Sequence, residues 1–186
     1  MCDRRLLTAV VILVSGFLTV SPAVDLGASV GYDSYTISAS VMGMGISVSG
    51  GGLCAAVNAD FPIGSAPVLA STSLGFGSGK FGSGEFGATL NDIAVAEAIK
   101  VYLLAESAQV RPLFGAQLAY HFLGGDGSYS SEKYFGIGGF GGVAFRAGPK
   151  LSIPVQVSYD RIFVSESGVS VGLGVIAGRA GVLFKL

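Results

Sequence analysis

The sequence is poor in charge and has few long apolar runs, and these two shortages exclude several classes of protein. Charged residues make up 12% of the 186 residues, against roughly 25% in an ordinary soluble domain. Beyond the N-terminus, no apolar run approaches the ~18 residues that a membrane-spanning helix needs. Hydrophobic residues nevertheless reach 51%, which excludes an ordinary disordered chain. The apolar residues must therefore lie in elements other than spanning helices.

Chemistry-bearing residues are also scarce. The chain has one His, two Cys and no Trp, so it offers no cluster of soft ligands for zinc. Cys2 belongs to the N-terminal segment, and Cys54 is interpreted as a small residue on a strand rather than a reactive thiol. The 30 glycines keep no three-residue period, which excludes collagen. We therefore expect no cofactor and no metal site.

The N-terminus has the pattern of a secretory signal peptide. Arg4 and Arg5 precede an apolar run over residues 6–20, and Ser21-Pro22-Ala23 supplies small residues before a cleavage point after Ala23. A retained membrane anchor is the alternative, but the run is short for a span. We predict a signal peptide over residues 1–23 and one domain over residues 24–186. That domain holds nine basic and eleven acidic residues, which does not favour nucleic acid as a partner.

Residues 24–186 repeat an alternation of apolar and small residues with a period of two. Such alternation is typical of a strand with one apolar face. It predicts seven strands, over or within residues 26–32, 53–61, 68–76, 112–122, 134–146, 151–159 and 169–186. The Pro-rich residues 62–67 predict a tight connection between the second and third of them.

An eighth strand is predicted over residues 91–105. Ile93, Val95, Ile99 and Val101 share one parity, although Glu97 interrupts them. A helix capped by Asn91 or Asp92 is the rival interpretation. The strand is favoured because a lone helix has no place among seven strands that all need cover for their apolar faces.

The two faces of these strands indicate which solvent each meets. The face opposite the apolar one is mostly Gly, Ser and Ala, which suits the inside of a narrow barrel. Aromatic residues on the apolar face gather toward the strand ends, as in the two girdles of a membrane barrel. At one end these are Phe61, Phe114, Phe145 and Phe184, and at the other Tyr32, Phe76, Phe122, Phe135, Tyr159 and Phe163. Connections alternate between short turns and long loops. The sequence therefore predicts an all-β, eight-stranded, antiparallel up-and-down transmembrane β-barrel.

These residues resemble a known family, the small eight-stranded outer-membrane barrels of the OmpA and OmpX type. Residues 111–116, Arg-Pro-Leu-Phe-Gly-Ala, are similar to the family's Arg-Pro-Tyr-x-Gly-Ala opening of the fifth strand. The last strand alternates to Phe184 and Leu186, where the family carries an aromatic assembly signal. The resemblance implies the bacterial outer membrane, with outer-membrane lipid and the barrel-assembly machinery as partners.

Candidate site residues lie on the small-residue face, inside the predicted barrel. Charges there must be paired or hydrated, so the face is interpreted as a polar network with some unfilled volume. The polar residues predicted in the lumen are Asn58, Asp60, Lys100, Gln117, His121, Arg146, Gln156, Asp160 and Arg179. Residues 35–48 are predicted either to fill part of the lumen or to prolong the first hairpin beyond the membrane.

His121 is the one candidate for catalysis. It is expected within reach of Asp160 or Tyr134, but it lacks the His-x-Ser pattern of lipid A deacylase barrels. With so few acid–base groups, the chain is not expected to be an enzyme. The sequence favours a structural or surface-interaction protein that binds extracellular ligands through its external loops, and the alternative is porin-like passage or binding of small solutes in the lumen.

Overall fold

The computed structural model of the protein describes residues 24–41, 44–64, 67–82, 87–125, 128–129, 133–166 and 169–186. The predicted signal peptide lies outside the described residues. Among these ranges, no helix is long and apolar enough to cross a membrane. The strands are β1 (Asp25–Val41), β2 (Met44–Pro62), β3 (Val68–Phe81), β4 (Ala88–Tyr102), β5 (Val110–Gly125), the two-residue β6 (Ser128–Tyr129), β7 (Tyr134–Arg146), β8 (Leu151–Glu166) and β9 (Val169–Lys185).

The eight long strands form a closed barrel. Each pairs antiparallel with its neighbours in chain order, with β5 beside β7. The first strand meets the last, Asp25 opposite Lys185, and this pairing closes the ring. Because a closed ring has no free edge, every long strand has a partner on both sides, as a structure in lipid requires. The predicted eight-stranded up-and-down barrel is confirmed.

The segment predicted as the eighth strand, residues 91–105, is a strand up to Tyr102, and residues 103–105 belong to the connection that follows. It forms most of β4, which pairs with β3 and with β5 along its length. Glu97 does not break the strand, because its carboxyl group accepts a hydrogen bond from the Thr72 hydroxyl across the pair. The predicted strand is therefore confirmed, and the rival helix is wrong.

An apolar belt surrounds the barrel and consists of the outward side chains of the eight strands. Its aliphatic members are 42–77% exposed, and they include Leu26, Val30, Leu53, Val57, Leu74, Ile99, Leu118, Ile137, Val155, Val157, Ile176 and Val182. Aromatic residues flank it at both ends, with Phe114, Phe145 and Phe184 at one and Tyr32, Phe76, Phe135, Tyr159 and Phe163 at the other. Phe61 was expected in the first ring, but it is only 3% exposed, so that expectation is wrong.

The two ends of the barrel differ in their connections. Short connections follow Pro62, Tyr102 and Arg146 at one end, which we name the turn end, and Gly64 adopts a positive φ of 65° there. At the other end, the hairpin end, the strands run on where long loops were predicted. The β1–β2 ladder continues to Val41 opposite Met44. Residues 35–41 and 44–48 lie in this ladder and prolong the first hairpin, as one of the two alternatives predicted. Tyr35 within it also fills part of the lumen.

Candidate functional site in the barrel lumen

The lumen near the turn end holds one carboxylate whose two oxygens both accept hydrogen bonds. Asp60 on β2 is fully buried. Its Oδ2 accepts a bond from Lys100 Nζ on β4 at 2.5 Å, and its Oδ1 accepts bonds from Ser71 Oγ at 2.6 Å and Asn58 Nδ2 at 3.1 Å. A buried ion pair is stable only when its remaining lone pairs and protons are also satisfied. We name these four residues the Asp60 network.

An apolar cluster lines the wall of the lumen beside the Asp60 network, on β3, β4, β5 and β7. Tyr102, Leu113, Phe140 and Ala144 are each at most 9% exposed, and Leu69 and Ala98 pack against them. On its outer side, the Arg111 guanidinium stacks 3.9 Å above the Tyr102 ring, a favourable cation–π geometry. We name this group the turn-end cluster.

A second set of charged groups lies nearer the hairpin end. Asp33 accepts a bond from the Tyr35 hydroxyl at 3.2 Å and one from Arg179 Nη2 at 3.5 Å. Gln117 donates its side-chain amide to both carboxylate oxygens of Asp160, at 2.7 and 2.8 Å. Arg179 Nε is buried and has no hydrogen-bond partner. Positive and negative groups therefore alternate around this part of the lumen, with fewer bonds for each group than Asp60 has.

His121 pairs with a residue that the sequence analysis did not select. Its Nδ1 lies 2.9 and 3.1 Å from the two carboxylate oxygens of Asp92 on β4. An ionised carboxylate only accepts hydrogen bonds, so Nδ1–H donates. Nε2 is buried without a hydrogen-bond partner. The expected neighbours are both close, since Tyr134 lies directly opposite His121 on β7 and Asp160 lines the same small cavity. The hydrogen-bond partner is Asp92, because the β4–β5 register sets His121 opposite Ala94, two residues from Asp92.

The hairpin end of the lumen is covered by a second apolar cluster. Tyr35 and Ile162 are fully buried, and Phe81, Leu173 and Val175 are at most 7% exposed. Partly buried Ile37, Leu90, Leu123 and Tyr134 pack against them. We name this group the hairpin-end cluster. In the described part of the chain, the polar groups of the lumen thus lie beside one apolar cluster and beneath the other.

Two small cavities remain among the side chains of the lumen. The larger, about 60 Å³, is lined by Asn58, Lys100 and Gln156 among others, and the smaller, about 30 Å³, by Asp33, Asp92, His121 and Asp160. Gln117 and Arg179 line both. A water needs roughly 10–15 Å³ of such volume and two to four polar partners. The cavities therefore suit a few waters and nothing much larger.

The structure places most of the predicted lumen residues on the inner face of the barrel. These are Asn58, Asp60, Lys100, Gln117, His121, Gln156, Asp160 and Arg179. Arg146 is the exception. Its alternating position corresponds to the inward face of β7, but it is the last residue of that strand and lies at the exposed rim. Its guanidinium donates to the carbonyls of Ser107 and Gly148. The predicted assembly residues Phe184 and Leu186 are exposed at the turn end, at 46% and 61%.

Four functional groups were missed in the sequence: Asp33, Tyr35, Ser71 and Asp92. All four share the parity of the small-residue face. Following that parity would have found Asp33 and Tyr35 in the first predicted loop, over residues 33–52, Ser71 inside the predicted third strand, and Asp92 at the start of the eighth. Cys54 is buried on the same face of β2 and makes no disulfide. Within the described ranges, no three His, Cys, Asp or Glu side chains are grouped to hold a metal ion.

Comparisons with known proteins agree with this architecture. No family model and no curated protein matches the chain. Among solved structures it is similar to Neisserial surface protein A (NspA), with a TM-score of 0.58 and 20% identity over 86% of this chain and 97% of that one. It is also similar to the outer membrane protein OprG from Pseudomonas aeruginosa, with a TM-score of 0.58 and 10% identity over 87% and 95% of the two chains.

A major outer membrane protein from Thermus thermophilus gives a TM-score of 0.50 with 13% identity, over 86% of this chain and 99% of that one. Identities of this size show a shared fold. The fold of this chain, with the apolar belt around it, is that of the small barrels of the bacterial outer membrane.

Proposed function

We propose that this chain is an integral outer-membrane barrel that presents its hairpins at the cell surface, in a structural or surface-interaction role. In this orientation the turn end faces the periplasm and the hairpin end faces outward, as is usual for such barrels. The apolar belt contacts outer-membrane lipid, and Phe184 and Leu186 serve recognition by the barrel-assembly machinery. Extracellular ligands bind at the hairpins, and nucleic acid is not a partner.

The β1–β2 hairpin is the observation that carries this proposal. Its strands have 17 and 19 residues, whereas ~10 residues cross the bilayer. Beyond the belt, one face carries hydroxyls, with Thr36 and Ser49 hydrogen-bonded across the pair. The other face carries Ile46 and Val48, which are 61% and 46% exposed. A two-faced ribbon with exposed apolar side chains is suited to binding another surface.

Surface presentation is tested by labelling intact cells. In the variant Ser47→Cys, we expect a membrane-impermeant maleimide to react from outside, because Ser47 lies on the outward hairpin. Pro149→Cys, at the turn end, is the matched control and should stay unlabelled until the cells are opened. The buried Cys54 leaves both readouts clear. Labelling of Pro149→Cys alone in intact cells would reverse the orientation and contradict the proposal.

Passage or binding of small solutes is the second candidate, and the two polar cavities favour it. Solutes would have to cross the hairpin-end cluster and the packed side chains below it, so the closed lumen supports presentation over passage. For the same reason we propose no enzymatic role. His121 lies beneath the hairpin-end cluster with Asp92 on its Nδ1, away from any substrate outside the barrel.

A further inference from the structure

One carboxyl group stands on the lipid-facing side of the barrel, among apolar neighbours. Glu97 shares the outward face of β4 with Val95 and Ile99. It precedes Tyr102, the turn-end residue of β4, by five positions, and each residue of a tilted strand climbs roughly 2.5 Å. Glu97 therefore lies near mid-height in the apolar belt. Among the described residues, no other ionisable side chain faces outward at that height.

The hydrogen bonds of this carboxyl are incomplete within one copy of the chain. Thr72 Oγ1 donates to Glu97 Oε2 at 2.8 Å. Glu97 Oε1 is covered and has no partner. Hydrocarbon supplies no hydrogen bonds, so the neutral acid is favoured over the carboxylate there. The acid proton then stands on Oε1 as a donor without an acceptor. Ionisable residues at this depth are costly and usually functional.

Small side chains surround the carboxyl on its turn-end side. Ala59 lies opposite Thr72 on β2, and Ala116 lies opposite Ile99 on β5. Small residues allow the backbones of two membrane proteins to approach closely, so that polar groups can bond between them. This surface, from β2 to β5 around Glu97, is the carboxyl patch.

We propose that a second copy of this chain binds at the carboxyl patch within the bilayer, with Glu97 of each copy bonded to Glu97 of the other. A protonated carboxyl group is both a hydrogen-bond donor and an acceptor. A two-fold axis beside Glu97 therefore places the carboxyl group of the second copy where it accepts the acid proton of the first and donates its own. Such an isologous contact uses the same patch on both subunits. To form this bond between the two copies, each Glu97 side chain rotates so that its Oε1 points away from the sheet. Thr72 remains next to the two bonded carboxyl groups.

The test compares two variants of Glu97 in lipid vesicles. Energy transfer between two fluorophore-labelled pools of the refolded chain is measured as the protein is diluted with lipid. Glu97→Gln keeps a donor and an acceptor and should associate like the native chain. Glu97→Leu should associate at least tenfold more weakly. Flotation with the vesicles and a heat-dependent gel shift check insertion and folding separately, because the inference rests on the proposed membrane location.

Single cysteines locate the contact without altering the carboxyl. Leu118 lies opposite Glu97 on β5 and is 50% exposed, whereas Val182 is 51% exposed on β9, across the barrel. Leu118→Cys should form an intermolecular disulfide under mild oxidation, and Val182→Cys is the matched control. This pair decides the question even if Glu97→Leu fails to fold. A native chain that stays monomeric at every lipid ratio, equal association of Glu97→Leu, or equal cross-linking at both cysteines would overturn the proposal.

Discussion

The two halves of the lumen balance their charges in different ways. Near the turn end, the two oxygens of Asp60 receive three hydrogen bonds from Lys100, Ser71 and Asn58. Near the hairpin end, Asp33, Asp92 and Asp160 each depend on one or two donors, and buried nitrogens of His121 and Arg179 have none. The first half is a closed network, and the second has unused hydrogen-bonding capacity beside a small cavity. We conclude that the turn-end half anchors the barrel and that the hairpin-end half is the more adaptable one.

The strongest test of this difference is to remove the one cation of the Asp60 network. Lys100→Met leaves Asp60 buried with its charge uncompensated, and breaking such a pair costs about 3–5 kcal/mol. We expect that loss in the free energy of unfolding, measured by urea titration in lipid vesicles. The double variant Asp60→Asn, Lys100→Met is the control and should recover part of it. An unchanged unfolding curve for Lys100→Met would contradict the anchoring role.

The hairpin-end half can be disturbed through its packing. A Cβ added at Gly138 on β7 would collide with the Asp160 carboxylate, which Gln117 holds. Overpacking of this kind costs roughly 1–3 kcal/mol, so Gly138→Ala should unfold at a lower urea concentration. Gly178→Ala provides the matched control, because nothing lies within 4 Å of the added atom. Equal stability of the two variants would show that the Gly138 contact yields freely.

A smaller effect is expected where bonding is incomplete. Asp92→Asn keeps the shape of the side chain that faces His121 Nδ1 but removes its charge. The amide oxygen can still accept from Nδ1–H, and the exchange of a charge-assisted hydrogen bond for a neutral one costs about 1–2 kcal/mol, less than for Lys100→Met. The same urea titration measures both variants. A loss as large as that of Lys100→Met would remove the difference between the two halves.

The smallest effect is expected outside the lumen, at the turn end. The hydrogen bond from Lys185 Nζ, 2.5 Å away, lowers the pKa of Glu106 below its ordinary value of 4.5. The stabilisation is thus present above pH 4.5 and is lost as the pH falls through the lower pKa of the folded state. Because the pair is exposed, Glu106→Gln should change the free energy of unfolding by less than about 1 kcal/mol at pH 7. Its stability should also fall less than that of the native chain in mild acid, and a steeper fall would contradict this assignment.

The strands could be predicted from the sequence because each face of a barrel strand meets a different environment. Leu26 to Tyr32 and Val169 to Leu186 alternate clearly, and the structure has strands over both. The hairpins beyond the belt were assigned to loops, because apolar and small residues no longer alternate along the strands outside the bilayer. Tyr35 shows the difference: it lies on the small-residue parity, yet it fills the lumen in the hairpin-end cluster.

The partners inside the lumen could not be predicted, because they depend on the register between strands. Asp92 and His121 are 29 residues apart along the chain, and only the β4–β5 pairing brings them together. Lys100 and Asp60 lie on strands that are not neighbours and meet across the lumen. Arg146 shows the opposite case. Its position in the alternation assigns it to the lumen, but it is the last residue of β7 and therefore lies at the rim. Periodicity gives the face of a residue, and its height and partner come from closure of the barrel.

Conductance across a planar lipid bilayer tests the central claim, that packed side chains close the lumen and leave surface presentation as the role of the barrel. The sample is the refolded chain after its heat-dependent gel shift has been verified, with Phe140→Ala, which thins the turn-end cluster, measured beside it. We expect no discrete current steps from the native chain, and none from the variant while the hairpin-end cluster remains. Reproducible single-channel steps from the native chain would contradict the closed lumen and favour passage of small solutes.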